Sequence, residues 1–205
     1  MFPSFEREAA RYYTEKLRRH GPVPAGVDWN SLESQTLRFE QLLKVCANEQ
    51  EFSLLDYGCG YGALVEFLER RHARVQYWGF DAAVPMISEA RRIHGENDRR
   101  HFIDPSSDLP YSDYTVASGV FNVKQDAPVA EWKAYILENI RAMAERCRRG
   151  FAFNMLTSYS DPEKMQGRLF YGDPCFFFDY CKTRFSNVAL LHDYGLYEFT
   201  ILVRK

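Results

Sequence analysis

The residues best suited to chemistry lie in one short motif in the first half of the chain, where an acid and three glycines alternate. Asp56 ends an apolar run, and Gly58, Gly60 and Gly62 follow at every second position. Without a Cβ atom, the first two glycines allow a tight strand-to-helix turn and let a ligand lie directly on the backbone. The third allows the next helix to pack closely on the sheet. This spacing predicts a ligand-binding loop.

A second acid completes the pattern. Asp81 ends the next apolar run, residues 75–80, where a carboxylate can accept hydrogen bonds from both hydroxyls of a ribose. Glycine spacing alone is weak evidence, because an ordinary strand-to-helix turn can show it. With a strand before the glycines, a helix after them and an acid at the end of the next strand, the pattern predicts a site for a nucleoside-containing ligand.

Two classes of ligand fit these glycines. Gly58, Gly60 and Ala63 also satisfy the relaxed dinucleotide fingerprint, in which the third glycine is alanine. Asp56 distinguishes the two classes, because a carboxylate at the strand end repels a pyrophosphate but can serve the cationic amino acid part of S-adenosylmethionine. The charge favours the sulfonium cofactor, and a nicotinamide dinucleotide is the alternative.

These motifs require a sheet that places the strand ends side by side. Short apolar runs alternate with amphipathic helices from residue 52 onward, which is typical of a doubly wound, parallel α/β sheet. The predicted strands are 52–57, 74–81, 101–104, 114–121 and 150–156, and the predicted helices between most of them are 63–71, 84–94 and 128–148.

The two ends of the chain depart from this alternation. Residues 4–19 form a predicted helix, and Asn30 with Glu33 as reciprocal partner begins a second one. We expect residues 1–50 to be a helical cap on a core of residues 51–205, within a single domain. Residues 157–184 are loop-like and aromatic, and two strand-like runs at 187–193 and 198–204 flank a turn short enough to join only antiparallel neighbours.

Residues 54–62 and 79–86, together with the closing pair of strands, resemble the class I S-adenosylmethionine-dependent methyltransferase family over roughly residues 52–205. The resemblance implies a seven-stranded, mostly parallel sheet with helices on both faces and an antiparallel last strand. It also implies an enzyme that uses S-adenosylmethionine and releases S-adenosylhomocysteine. The matching positions are Asp56, Gly58 and Gly60 for the methionine part, Asp81 for the ribose, Ala82 and Met86 for the adenosine, Asp104 for the adenine amino group, and Ser118 and Gly119 for the sulfonium.

Four candidates keep an alternative explanation or lie outside those motifs. Asp104 can equally cap a turn, and Ser118 can be a buried hydroxyl bonded to neighbouring backbone. Gln35 and Arg38 share the polar face of the second helix. Arg38 can clamp a carboxylate with two hydrogen bonds, either that of the cofactor's methionine end or that of an acidic substrate. Its alternative is a solvated surface charge.

The sequence assigns no catalytic side chain. Methyl transfer requires orientation of the acceptor and, where needed, removal of a proton. The Asn-Pro-Pro-Tyr-type motif of some relatives does not follow the fourth strand, where Asn122 stands instead. His192 beside Asp193 can act as a base with its orienting acid, although a surface turn explains the pair better. Neither supports a metal-dependent mechanism, since no cluster of histidines and carboxylates has metal-binding spacing.

Composition narrows the class of acceptor and the location. The chain has 205 residues, with 26 basic and 28 acidic side chains and a formal net charge of −2, which gives no long-range attraction for nucleic acid. Five cysteines without a CxxC pair and the lack of a long apolar run predict a cytoplasmic protein that does not bind membranes.

The aromatic segment at residues 169–180 lies where the resembled family often builds its substrate pocket, although its rings can also simply pack a short helix on the sheet. We therefore expect methyl transfer to an oxygen or nitrogen nucleophile of a small molecule, by a monomer or homodimer. An NAD(P)-dependent oxidoreductase and a non-catalytic cofactor-binding partner protein are the alternatives.

Overall fold

Seven strands form one sheet in the computed structural model, which describes residues 3–47, 49–71 and 74–205. The strands are β1 (Glu51–Tyr57), β2 (Arg74–Phe80), β3 (Arg100–Ile103), β4 (Ser112–Ala117), β5 (Cys147–Leu156), β6 (Asn187–Leu191) and β7 (Glu198–Arg204). Their order across the sheet is β3-β2-β1-β4-β5-β7-β6, and β7 alone among them runs antiparallel to its neighbours. The predicted seven-stranded sheet with an antiparallel last strand is confirmed.

Helices cover both faces of this sheet, as predicted. Neighbouring residues of a strand point to opposite faces, and β5 shows it: Phe151 and Phe153 pack with α5 and α6, while Ala152 packs with α2, α3 and α4. The second helix of the predicted cap thus contributes to the same core cluster as two helices of the sheet domain. The helices are α1 (Pro3–His20), α2 (Leu32–Leu43), α3 (Ala63–Arg71), α4 (Val84–His94), α5 (Val129–Arg146) and α6 (Pro174–Lys182).

The order of the strands creates a crevice between β1 and β4. From β1 the chain moves outward to β2 and β3, and then returns to the other side of β1 to form β4. Neighbouring connections therefore leave in opposite directions at the carboxyl ends of β1 and β4, which is where open α/β sheets bind ligands. Gly58 follows the end of β1 and Ser118 follows the end of β4, so two predicted site residues border this crevice.

Helix α1 crosses above that crevice. At its amino-terminal end, the Phe5 ring lies 5.6 Å from the Trp132 ring of α5. Further along, Tyr13 and Leu17 pack against a small buried cluster that includes Met86 of α4. Because α1 rests on helices from both faces of the sheet, it forms a roof over the carboxyl ends of the strands.

Three boundaries differ from the predicted ones. Ser31, rather than Asn30, begins α2, and its hydroxyl accepts a hydrogen bond from the Ser34 backbone N–H at 3.1 Å. Strand β4 ends at Ala117 rather than at residue 121, because Gly119 adopts a left-handed conformation with φ +71° and takes the chain out of the sheet. Predicted loop residues contain α6, whose first turn is capped by the Asp173 carboxylate.

The cap of α6 is visible in the sequence, since an acid followed by proline is typical of a helix start. Three consecutive phenylalanines hide the periodicity behind it. Phe177 is fully buried, whereas Phe176 and Phe178 pack at the margin of the core, so the aromatic run is mainly a packing element. Within the described ranges, no helix has the length and apolarity needed to span a bilayer.

Candidate functional site

A pocket of about 1000 Å³ occupies the crevice below α1, and we call it the glycine-loop pocket. It brings together most of the predicted site residues, from α2, the ends of β1, β2 and β4, and the loops that follow them. Of the predicted residues, Arg38 and Asp104 are not among the described residues that line it. Those that line it are Gln35, Asp56, Gly58, Gly60, Asp81, Ala82, Met86, Ser118 and Gly119.

The floor of this pocket is backbone that only glycine tolerates. Gly58 and Gly60 have φ values of +81° and +57°, in the left-handed region that side chains rarely adopt. A Cβ atom on Gly58 would lie 2.4 Å from the Cγ2 atom of Val120. The two glycines therefore give a ligand direct access to the main chain, as their spacing predicts.

Asp81 locks the glycine loop onto the end of β2. Its carboxylate accepts hydrogen bonds from the Gly60 N–H at 2.9 Å and from the Ala83 N–H at 2.8 Å. Burial raises the pKa of Asp81 to about 6, against the opposing effect of those two donors. At neutral pH the group is mainly ionised and presents an acceptor to the pocket.

Asp56 provides a second carboxylate in the same pocket. It is buried, and its Oδ2 atom accepts a hydrogen bond from the Tyr77 hydroxyl at 2.8 Å. Burial raises the pKa of Asp56 to about 7, and the negative charge of Asp81 adds to the shift. Two neighbouring acids thus make this end of the pocket suited to a cationic or hydroxyl-bearing ligand.

The wall formed by the β4 end contains an unsatisfied polar atom. The Ser118 Oγ atom is buried and has no hydrogen-bond partner among the described residues. A buried hydroxyl without a partner costs free energy, and a ligand that bonds to it removes that cost. The adjacent Gly119 N–H donates to the Asn154 side-chain oxygen at 2.7 Å, which holds this wall in place.

Arg38 lies outside the glycine-loop pocket and forms a buried ion pair. Its Nη2 atom donates to Glu198 Oε1 at 2.6 Å, and its Nε atom donates to Glu198 Oε2 at 2.8 Å. The ring of Trp29 covers the guanidinium at 4.0 Å, and Asn154 donates to the same carboxylate at 2.9 Å. Of the alternatives for Arg38, the solvated surface charge is wrong, because the residue is only 6% exposed.

Asp104 sits at the end of β3 and closes its own turn. Its Oδ1 atom accepts hydrogen bonds from the backbone N–H of Ser106 at 2.9 Å and from the hydroxyl of the same residue. These hydrogen bonds lower the pKa of Asp104, the side-chain one most. The geometry is that of the turn cap which the sequence left open as the alternative to an adenine contact.

A second cavity, of about 1110 Å³, adjoins the first, and we call it the arginine pocket because Arg38 and Arg168 line it. The two pockets share a wall of four residues, namely Tyr13, Val27, Trp29 and Gly119. A Cβ atom on Gly119 would lie 2.2 Å from the Trp29 ring, so this glycine is what allows the tryptophan to stand between the pockets. The remaining lining residues are Asp28, Asn30, Asn122, Val123, Leu156, Ser160, Lys164, Gln166, Leu169, Tyr171, Tyr197 and Glu198.

Other residues that the sequence singled out divide between this pocket and the core. Asn122 lines the arginine pocket, with its side-chain oxygen accepting from the Leu156 N–H at 3.0 Å. The His192 ring packs against Tyr159 at 5.8 Å, and His192 is not among the described residues that line either pocket. No group of His, Cys, Asp and Glu able to hold a metal ion occurs in the described part of the chain.

Sequence reasoning missed Trp29, Asn154, Arg168 and Glu198. Glu198 pairs with a residue 160 positions away, and no local pattern marks such a contact. Trp29 follows a loop rich in proline and glycine whose path is set by packing. The one available signal was a carboxylate at the start of an otherwise apolar last strand, where burial demands a cationic partner.

Comparison with known proteins identifies the family. No family model matches the sequence. The protein named "Putative methyltransferase Rv1506c" from Mycobacterium tuberculosis (strain ATCC 25618 / H37Rv) is 48% identical over 155 residues, which are 75% of this chain and 93% of that relative. The chain belongs to the class I S-adenosylmethionine-dependent methyltransferases. Of the two ligand classes that the glycines allowed, its cofactor is S-adenosylmethionine.

Solved structures of methyltransferases share the fold at low sequence identity. DhpI in complex with SAM and HEP aligns with a TM-score of 0.68 and 13% identity over 98% of each chain. Magnesium protoporphyrin IX methyltransferase from Synechocystis PCC 6803 with bound SAH has a TM-score of 0.59 and 15% identity over 84% of this chain and 83% of that one. Human N-acetylserotonin methyltransferase in complex with SAM has a TM-score of 0.57 and 16% identity over 100% of this chain and 57% of that one.

Proposed function

We propose that this enzyme transfers a methyl group to an oxygen or nitrogen atom of a small molecule, with the cofactor in the glycine-loop pocket and the acceptor in the arginine pocket. The observation that carries this proposal is the shared wall at Trp29 and Gly119. Two ligands on either side of that wall are neighbours, which a direct transfer between them requires.

The residues of the glycine-loop pocket fit the cofactor. Bound S-adenosylmethionine supplies an electrophilic methyl group that a nucleophile attacks in line. Asp81 accepts the ribose hydroxyls, the Gly58 and Gly60 backbone lies against the methionine part, and Asp56 offsets the cationic charge. The buried Ser118 hydroxyl is the donor or acceptor left for the ligand. Ala82 and Met86 flank the adenosine.

Gln35 has a second role in this proposal, as part of the contact between α2 and the glycine loop. It is buried and accepts a hydrogen bond from the Tyr61 hydroxyl at 3.4 Å. Both residues line the glycine-loop pocket. We propose that Gln35 orients the loop and contacts the methionine end, whereas Arg38 and Asp104 do not contact the cofactor.

The chain itself orients the acceptor and shields it from water. α1 and the segment from Val27 to Asn30 contribute to both pockets, so the reacting groups lie under a common roof. A dry, closed site strengthens the electrostatic contacts that hold an acceptor in place. This sharing of wall residues also supports the proposal that residues 1–50 and 51–205 act as one domain.

Calorimetric titration with S-adenosylmethionine, S-adenosylhomocysteine and NADH tests the first half of the proposal. We expect both sulfur nucleosides to bind and NADH not to bind. A panel of hydroxyl- and amine-bearing small molecules, incubated with methyl-labelled S-adenosylmethionine, tests the second half. Label should appear in a small product. Tight cofactor binding without any labelled product would favour the non-catalytic partner role, and binding of NADH alone would favour the oxidoreductase.

A further inference from the structure

The arginine pocket contains a buried guanidinium atom that nothing in the described structure uses. Glu198 occupies the Nε and Nη2 edge of Arg38, and Trp29 covers its face. The Nη1 atom is buried and has no hydrogen-bond partner among the described residues. A charged donor left in this state is costly, because it has lost its water and gained no acceptor. An oxygen atom of a ligand in the pocket would remove that cost.

A second guanidinium in the same pocket lacks a carboxylate. Arg168 donates through Nη1 to the Tyr12 hydroxyl at 2.7 Å and through Nε to the Gln166 side-chain oxygen at 3.2 Å. Both partners are neutral, and within the described ranges Arg168 makes no ion pair. Its charge is therefore not neutralised by direct contact with the chain.

The carboxylates of the pocket are already paired with other cations. Asp28 accepts from the Tyr12 hydroxyl at 2.6 Å and pairs with Lys16 at 2.6 Å. Glu198 pairs with Arg38 and accepts from Asn154. The pocket wall thus carries three cations, those of Arg38, Lys164 and Arg168, against two engaged carboxylates.

We propose that the arginine pocket recognises an anionic oxygen group on the methyl acceptor, held by Arg38 and Arg168. The acceptor class is a small molecule with a carboxylate or phosphate, whose two or three oxygens match the planar donors of arginine. Lys164, paired with Asp161 and the Tyr197 hydroxyl at the exposed side of the pocket, adds attraction at the entrance. The inference rests on the proposed function in that it takes the arginine pocket to be the acceptor site.

Binding of matched probes to the enzyme saturated with S-adenosylhomocysteine tests this subsite, because the product then blocks the glycine-loop pocket. The probes are benzoate, phenyl phosphate and the neutral benzamide, titrated by calorimetry at millimolar concentrations. We expect the anions to bind at least about tenfold more tightly than benzamide. A preference for phenyl phosphate over benzoate, or the reverse, distinguishes a phosphate from a carboxylate acceptor.

Variants connect the preference to the named residues. Arg168→Gln removes the unpaired charge from a partly exposed position and should reduce the affinity for the preferred anion about tenfold, with the affinity for S-adenosylhomocysteine unchanged. Arg38→Lys keeps a charge for Glu198 but loses the planar donors, and it should have a similar effect. Arg148→Gln is the matched control, since Arg148 lies at the opposite edge of the sheet, at the start of β5.

Three results would overturn the inference: no binding of either anion, equal binding of benzamide, or an unchanged anion affinity in Arg168→Gln. Should Arg38→Lys fail to fold, the Arg168→Gln comparison decides alone. Failure of the anionic subsite is distinguishable from failure of the proposed function. Methyl transfer to neutral acceptors with no preference for anions removes only the subsite, whereas cofactor binding without transfer to any small molecule removes the proposed function.

Discussion

The glycine-loop pocket and the arginine pocket lie on either side of one tryptophan, yet they are built in different ways. The first is made from short segments at the ends of neighbouring strands, such as Asp56 to Gly60 and Asp81 to Met86. The second is held together by contacts between distant parts of the chain, such as the Arg38–Glu198 pair, 160 residues apart. Recognition of a common cofactor is encoded locally, and recognition of a particular acceptor depends on tertiary contacts.

The two pockets also differ in charge. Asp56 and Asp81 are acids with raised pKa values in the glycine-loop pocket, whereas cations outnumber carboxylates in the arginine pocket. Trp29 separates these environments. A cationic cofactor and an anionic acceptor would each find the complementary side, so variants that alter one side should leave the other largely intact.

The largest expected effect is that of Glu198→Gln on the arginine pocket. The amide cannot neutralise Arg38, so a buried charge is left unpaired and the free energy of unfolding should fall by about 3 kcal/mol. Urea unfolding measures this. Asp161→Asn, which alters the exposed pair with Lys164, is the control and should change stability little. Equal losses in the two variants would show that the buried pair contributes nothing special.

Next in size is the effect of Asp81→Asn on the glycine-loop pocket. Loss of the charged acceptor should weaken binding of S-adenosylhomocysteine about thirtyfold, as measured by calorimetry. Asp104→Asn should keep the affinity within about twofold, because the Asp104 carboxylate is engaged in its own turn. The reverse result, a loss in Asp104→Asn alone, would move the nucleoside site toward the end of β3.

Asp56→Asn should increase stability while weakening cofactor binding. Asp56 binds its proton more tightly in the folded protein, with a pKa of about 7, than in the unfolded chain, where the ordinary value applies. Ionisation therefore destabilises the fold as the pH rises from about 4 to 7, and the penalty is complete above pH 7. The variant should gain on the order of 2 kcal/mol at pH 8 and less at pH 5.

Thermal and urea unfolding at the two pH values check the Asp56→Asn prediction. A gain that does not depend on pH would mean that ionisation of the carboxylate is not its cause. Calorimetry with S-adenosylhomocysteine on the same preparation reports the loss of affinity, which separates a binding role of Asp56 from a purely structural one.

The smallest expected effect is that of Ser118→Ala. The variant removes a buried hydroxyl that has no partner, so the free protein should gain up to about 1 kcal/mol of stability. Binding of S-adenosylhomocysteine should weaken about threefold, since the hydrogen bond formed on binding is lost. Unchanged affinity would indicate that the ligand leaves the hydroxyl unsatisfied, and that this wall of the glycine-loop pocket contributes shape alone.

Much of the glycine-loop pocket was predictable because its requirements are local. A left-handed turn demands glycine at positions 58 and 60, and an acid at the end of a parallel strand necessarily lies beside the neighbouring turn. The alternation of strands and helices likewise predicts the doubly wound sheet and most of its boundaries. The helix α6 was missed because consecutive aromatic residues conceal the helical period in its middle, although its cap follows the usual pattern.

The sequence by itself therefore determined the cofactor loop, the acid that anchors it and the order of elements that brings them together. Only the tertiary structure decided that Arg38 faces Glu198, that Trp29 rests on Gly119, and that one guanidinium atom is left without a partner. The physical reason is the range of the interactions. Backbone conformation and strand-end chemistry act over a few residues, whereas burial of a charge depends on whichever distant side chain the packing places beside it.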